Sequence, residues 1–248
     1  MSQLRDKENG CEWDKEQTFK SIAPFTIEEA YEVADSIERN DYKDLKEELG
    51  DLLLQVVFLS QIAKEDDLFS FDDVASTITQ KLIRRHPYVF SKKRHHSSEE
   101  QTEQWERIKE SERGSRNQSG ILDGIAKSLP SLKRSQQIQK RASRVGFDWP
   151  DTKGVFEKIK EETSELEEAI ESLSRDQIEE EIGDLLMIIT NLSQKQKIDA
   201  ESALRRANNK FIKRFNYIEE ELKKTNTDFS RVDLQQLDSL WKDSKKLG

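Results

Sequence analysis

One cysteine, Cys11, stands among 248 residues, so no disulfide can form within the chain. Long apolar runs are missing too. The longest, Leu52 to Leu59, is interrupted by Gln55, and a bilayer needs about 20 apolar residues in a row. The opening MSQLRDKENG has no apolar core of the kind a secretory signal carries. Together these absences predict a soluble, cytoplasmic protein. Helix breakers are scarce, with four prolines and nine glycines, and only 33% of residues are hydrophobic against 37% charged. That balance resembles long amphipathic helices more than sheets, and although it touches the disordered range, the periodic apolar stripes argue for folded structure. Basic charge is in deficit as well. A net charge of −9 argues against a nucleic-acid backbone or an anionic membrane as partner, because both are polyanions. A small polyanionic substrate would need cations supplied from elsewhere.

What the chain does contain is one set of acids written twice. Glu29, Glu32, Glu48 and Asp51 lie in TIEEAYEV and KEELGDLLLQ; Glu162, Glu165, Glu181 and Asp184 lie in KEETSELE and EEEIGDLLMI. The steps are 3, 16 and 3 in both, and each acid of the second set follows its counterpart by 133 residues. Repeats at such a period decide architecture before local detail does. The length allows one large domain or two of about 100 to 130 residues, and the offset of 133 favours two.

Helix is the expectation almost throughout. Thr26 ahead of Glu28 and Glu29 reads as an N-cap, with Ile27, Tyr31, Ala34 and Ile37 at helical spacing until Asn40-Asp41 breaks the pattern. The next helix is expected from about Tyr42 to Ala63, with Leu45, Leu49, Leu52, Leu53, Val56, Val57 and Ile62 as a broad stripe for packing inside a bundle. Helices near 70–85 and 98–112 follow. SERGSRNQSG, Ser111 to Gly120, then has the composition of a flexible linker. After Pro130 a helix is expected to about Val145, then a break at Gly146 to Gly154, then helices at about 153–172, 175–195, 198–224 and 232–246. The predicted fold class is all-α, built from antiparallel helix pairs. Its parts are an N-terminal domain over 1–113, a linker over 114–127 and a C-terminal domain over 128–248.

The repeat reaches beyond the acids. Gly10, Glu12 and Trp13 in GCEWD answer to Gly146, Asp148 and Trp149 in GFDWP. Downstream, Lys81 and Arg85 answer to Lys210 and Arg214, and Trp105 and Lys109 to Trp241 and Lys245. Residues three apart on a helix sit about 60° apart around its axis, so each Glu-x-x-Glu and Glu-x-x-Asp pair shares a face. Two such faces in an antiparallel pair can converge. Four carboxylates around one space repel and raise one another's pKa, an arrangement that makes sense around a divalent cation. An all-oxygen donor set suits Mg²⁺ or Mn²⁺ rather than zinc. Such an ion keeps open positions for water and phosphate oxygens. Lys210 and Arg214, four apart, could hold phosphates, and Trp241 could stack on a base or pack on the bundle.

Each feature has a plainer explanation. An acid-rich helix is usually a solvated face, Lys and Arg four apart are usually solvated bases, and a tryptophan is usually core or interface. Against the first stand the apolar runs LLLQVVFL and LLMII around Asp51 and Asp184, on helices expected to be largely buried, where unpaired carboxylates are costly. His86, His95 and His96 all fall in the first half, and the second copy has none, so no histidine is assigned a role.

RDKENGCEWDKEQTFKSIAPFTIEEAYEV, ELGDLLLQVVF, RRHPYVF, KIKEE, GFDW, EEEIGDLL and ANNKFIKRF together resemble the two-domain MazG-type nucleoside triphosphate pyrophosphohydrolases, over nearly the whole chain. The resemblance implies Mg²⁺-dependent hydrolysis of an NTP or dNTP between the α and β phosphates by a homodimer of helical protomers, with Mn²⁺ as a substitute ion. It implies metal at Glu162, Glu165, Glu181 and Asp184, and nucleotide at Lys158, Glu161, Lys210, Arg214 and Trp241. The C-terminal copy is expected to be the active one; Glu29, Glu32, Glu48 and Asp51 form a second metal set. For the reaction, the acids of the C-terminal copy, Glu161 among them, would orient a water and take its proton. Two rival classes remain. A di-iron oxidase would use Glu-x-x-His, which this repeat lacks, and a non-catalytic nucleotide sensor would bind without releasing pyrophosphate.

Overall fold

The structure is a computed structural model that describes residues 1–90, 97, 100–101, 104–105, 108, 112 and 120–247. Among the described residues there are helices and turns and no strand, and the chain divides into two compact units, Met1–Glu112 and Arg113–Gly248. The chain is therefore all-α, with two tandem helical units. No helix among these residues is long and apolar enough to cross a membrane.

The first unit consists of α1 (Glu12–Glu16), α2 (Phe19–Arg39), α3 (Tyr42–Glu65), α4 (Phe71–Arg85) and α5 (Pro87–Phe90). Helices α2 and α3 form an antiparallel hairpin, and α4 folds back on α3. The start of α2 lies two turns ahead of the expected Thr26. Thr18 is the cap: its hydroxyl accepts from Ser21 N, and Thr18 N donates back to the Ser21 hydroxyl, which satisfies two first-turn amides at once. Thr26 is instead inside the helix, its hydroxyl donating to the Ile22 carbonyl at 3.3 Å. Ile22, Phe58 and Ile62 make the core of this unit, with Met1 and Leu59 against them.

Arg5 holds the N-terminal segment to that core. Its side chain is only 7% exposed; it pairs with Glu65 at 2.7 Å, donates to the carbonyls of Asp14 and Gln17, and lies over the Phe58 ring. Alanine at Arg5 leaves those acceptors without a donor and is expected to cost about 2–3 kcal/mol in urea unfolding. The Arg5 hydrogen bond holds the Glu65 carboxyl below its usual range. A lowered pKa contributes stability above the unfolded value of about 4.3, and that contribution is lost as pH falls through the folded value. The Arg5→Ala deficit should therefore be full at pH 7 and shrink below about pH 4.

The second unit consists of α6 (Ser131–Ser143), α7 (Thr152–Glu171), α8 (Arg175–Lys195), α9 (Ala200–Lys224) and α10 (Leu234–Ser244). Again two consecutive helices, α7 and α8, form the central hairpin; α6 lies along α8, and α10 along α9. Polar contacts fix α6 in place. The Ser135 and Thr190 hydroxyls are 2.6 Å apart, and buried Gln136 donates to the Ile198 carbonyl and accepts from Ala200 N. Asp148 of the GFDW segment pairs with Lys195 and accepts from Asn191, fixing that break against the end of α8.

The two hairpins turn in the same way. Asn40 and Leu173, 133 residues apart, each close the turn in the left-handed region, at φ 57° and 56°. Asparagine tolerates that conformation, whereas leucine crowds its own Cβ there, and Leu173 is 86% exposed, so packing does not compensate. Leu173→Asn is expected to stabilise the second unit by about 0.5–1 kcal/mol, read as a higher denaturation midpoint.

The burial that the sequence predicts for the stripes on α3 and α8 is not what the fold provides: Leu49, Leu53, Leu54 and Val56 are exposed, and so are their counterparts Ile182, Leu186, Met187 and Ile189. The reason is geometric: each hairpin has one partner face, so the other side of its second helix is uncovered. The helix expected over 98–112 lies largely outside the described residues, as do Lys109, His95, His96 and linker residues 114–119. Residues 120–127 form turns without a regular element.

Candidate functional site

In the second unit, one carboxylate oxygen from each of Glu162, Glu165 and Glu181 lies within 4.8 Å of the other two. The hairpin produces this convergence. Glu162 and Glu165 share a face of α7, Glu181 lies on the facing turn of α8, and the antiparallel pairing brings them together. Burial pushes the Glu181 carboxyl up, and the charges of Glu165, Glu162 and Asp184 push it further. Asp184 thus acts on Glu181 through space without joining the tight group of three.

Glu162 is buried, its side chain 6% exposed, and Lys158 one turn earlier supplies its counter-charge. Lys158 Nζ is 2.7 Å from Glu162 Oε1 and 2.7 Å from Glu161 Oε1. These two hydrogen bonds hold the ammonium above the ordinary lysine range. A cleft beside Glu165 and Glu181 is lined further by Glu168, Ala169, Ser172 and Gln177.

The first unit makes a related but different group. Here the three converging acids are Glu29, Glu48 and Asp51, again within 4.8 Å, and Glu32 stands beside them. Burial raises the Glu29 carboxyl, helped by Asp51 and then Glu32. Asp51 itself is exposed, so its nearness to an apolar run does not bury it within the protomer. Gln55 escaped the sequence reasoning. It is 7% exposed, and its Nε2 donates to Glu29 Oε1 at 3.4 Å. Its signal was present all along as the one polar residue between Leu52 and Leu59.

The downstream cations meet their tryptophans in both units. Arg85 lies 5.8 Å from the Trp105 ring centre and Arg214 5.6 Å from that of Trp241, which also packs on Phe211. Arg85 and Arg84 both pair with Glu112, whose carboxyl they hold down at about 2. Arg214 differs, because its Nε is buried without a hydrogen-bond partner. Lys210 is exposed, and among the described residues no ion pair joins Lys210 or Arg214 to the acids.

The arrangement is a helical group of carboxylates that could hold a cation, with Lys158 beside it, and its all-oxygen donor set fits a hard divalent ion. The family model for the MazG nucleotide pyrophosphohydrolase domain matches residues 17–90 and 152–218, one segment in each unit and each containing its acidic group. The chain belongs to that family. It is 46% identical over 248 residues to the nucleoside triphosphate pyrophosphohydrolase of Escherichia coli (strain K12), covering 99% of this chain and 94% of that one. It is 45% identical over 245 residues to the nucleoside triphosphate pyrophosphohydrolase/pyrophosphatase MazG of Thermotoga maritima, covering 99% and 92%. The uncharacterized protein YabN of Bacillus subtilis is 38% identical over 239 residues, which are 96% of this chain and 49% of YabN.

Proposed function

We propose that the chain hydrolyses nucleoside triphosphates, ribo or deoxy, to the nucleoside monophosphate and pyrophosphate, using the C-terminal acids and Mg²⁺, with Mn²⁺ as substitute. The observation that carries this reading is the convergence of Glu162, Glu165 and Glu181 beside Lys158, in a chain that matches nucleoside triphosphate pyrophosphohydrolases over nearly its whole length. Glu162, Glu165 and Glu181, with Asp184 beside them, would hold the ion, which when bound supplies positive charge against the triphosphate. Arg214 and Lys210 one turn earlier would offer hydrogen bonds to phosphate oxygens, Lys210 from an exposed position. Trp241 gives the nucleoside an aromatic face. Glu161 is exposed at the edge of the group and orients the attacking water and takes its proton; Lys158 leaves it for a phosphate.

A homodimer belongs to the same proposal. Four apolar positions on α3 recur at the same four positions on α8, all exposed in the protomer, as a surface covered by a second copy would be. Such an enzyme serves control of the nucleotide pool. The test is a panel of canonical, deoxy and oxidised triphosphates with and without Mg²⁺: the proposal expects metal-dependent pyrophosphate release, and binding without release would favour a nucleotide sensor.

A further inference from the structure

The internal repeat supplies its own comparison, because the two acidic groups share a backbone and differ in what neutralises them. Position 158 in the second unit is a lysine whose ammonium sits 2.7 Å from Glu162; the equivalent position in the first unit is Phe25, which packs edge-on against Trp13. Behind the acids, the second unit has Ile188 where the first has Gln55. Gln55 is more than nine-tenths buried, its nitrogen on Glu29 and its Oε1 buried without a partner. A buried amide oxygen without a donor is costly, and on a side chain in contact with Glu29 it is a further hard donor at the edge of the acidic group. The downstream arginines differ as well. Arg85 of the first unit is occupied by Glu112, whereas Arg214 of the second has an unpartnered Nε.

We propose that the two acidic groups load divalent cation by different rules: the Glu29–Glu48–Asp51 group takes it without nucleotide, and the Glu162–Glu165–Glu181 group takes it together with a triphosphate. In the second unit an incoming cation must displace Lys158 from Glu162. The displaced ammonium, 31% exposed, keeps Glu161 but loses one of its two ion pairs, and a phosphate supplies the second again. Cation and triphosphate therefore favour each other, and by linkage the coupling is reciprocal. Among the described residues of the first unit no cation is paired with Glu29, Glu48 or Asp51, and the carboxylates together with the Gln55 oxygen are left for the ion. This inference rests on the proposed nucleotide chemistry only for the second unit.

The experiment is Mn²⁺ binding to the full chain, followed by electron paramagnetic resonance, with and without α,β-methylene-ATP. Wild type should show one tight class that ignores the analogue and one weak class that tightens about tenfold with it. Glu29→Gln and Asp51→Asn, each near-isosteric, should remove the tight class. Lys158→Met should tighten the weak class about tenfold without analogue and erase most of the analogue's effect, and Phe25→Lys should weaken the tight class. Circular dichroism checks that each variant is folded. A tight class that survives both Glu29→Gln and Asp51→Asn, or a weak class indifferent to Lys158→Met, overturns the proposal. Pyrophosphate release is scored separately: its absence with the Mn²⁺ pattern intact removes the enzymatic reading and leaves the loading rule standing.

Discussion

Glutamine in place of Glu162 should lower pyrophosphate release by about a hundredfold or more at saturating nucleotide while the chain stays folded. Glu162 is the most buried of the three converging acids and the one that Lys158 neutralises. Glutamine keeps its shape and removes its charge, so the donor set for a hard cation loses a carboxylate where the protein excludes most water. Metal-derived charge stabilisation amounts to several kcal/mol, and each 1.4 kcal/mol is a factor of ten in rate. Folding should change little, because Lys158 is 31% exposed and keeps Glu161 as partner. The check is paired: initial rates of pyrophosphate release, and thermal melts of the same samples without metal. A variant that melts normally and turns over at the wild-type rate would remove Glu162 from the site.

The second large effect concerns assembly. Leu186→Asp places a carboxylate in the middle of the exposed stripe on α8, where the leucine is 51% exposed in the protomer. In a two-fold dimer the change appears twice, and each buried carboxylate without a partner costs on the order of several kcal/mol. Even about 4 kcal/mol in total weakens association roughly a thousandfold. Sedimentation should then shift from a dimer to the 29.0 kDa protomer. An unchanged mass would show that a second copy does not cover this stripe.

Much of the molecule was legible in the sequence because helix pairs are local. The 3, 16, 3 spacing already implies two acidic faces joined by a hairpin, and Asn40-Asp41 marks its turn: Asn40 takes the left-handed conformation and Asp41 caps α3. Other features depend on tertiary contacts that spacing does not carry. Thr26 resembles a cap as closely as Thr18 does, and what separates them is which hydroxyl meets a free amide. Which acids converge is also a matter of rotamer and register, so Asp184 and Glu32 stand outside the tight groups although the spacing treats all four alike. Burial of the α3 and α8 stripes could not be read at all, since periodicity says which face is apolar and not whether the same chain covers it. The Lys158–Glu162 pair is different: four residues apart on a helix, it was available as a spacing, and only its contrast with Phe25 gives it meaning.

In the proposed reaction, water attacks the α phosphorus of a nucleoside triphosphate at the C-terminal acids. Turnover in ¹⁸O-labelled water, with products resolved by mass spectrometry, tests it most directly. One labelled oxygen is expected in the nucleoside monophosphate and none in the pyrophosphate, with both products reduced about a hundredfold or more in Glu162→Gln. Label in the pyrophosphate, or release of orthophosphate and nucleoside diphosphate instead, would contradict it.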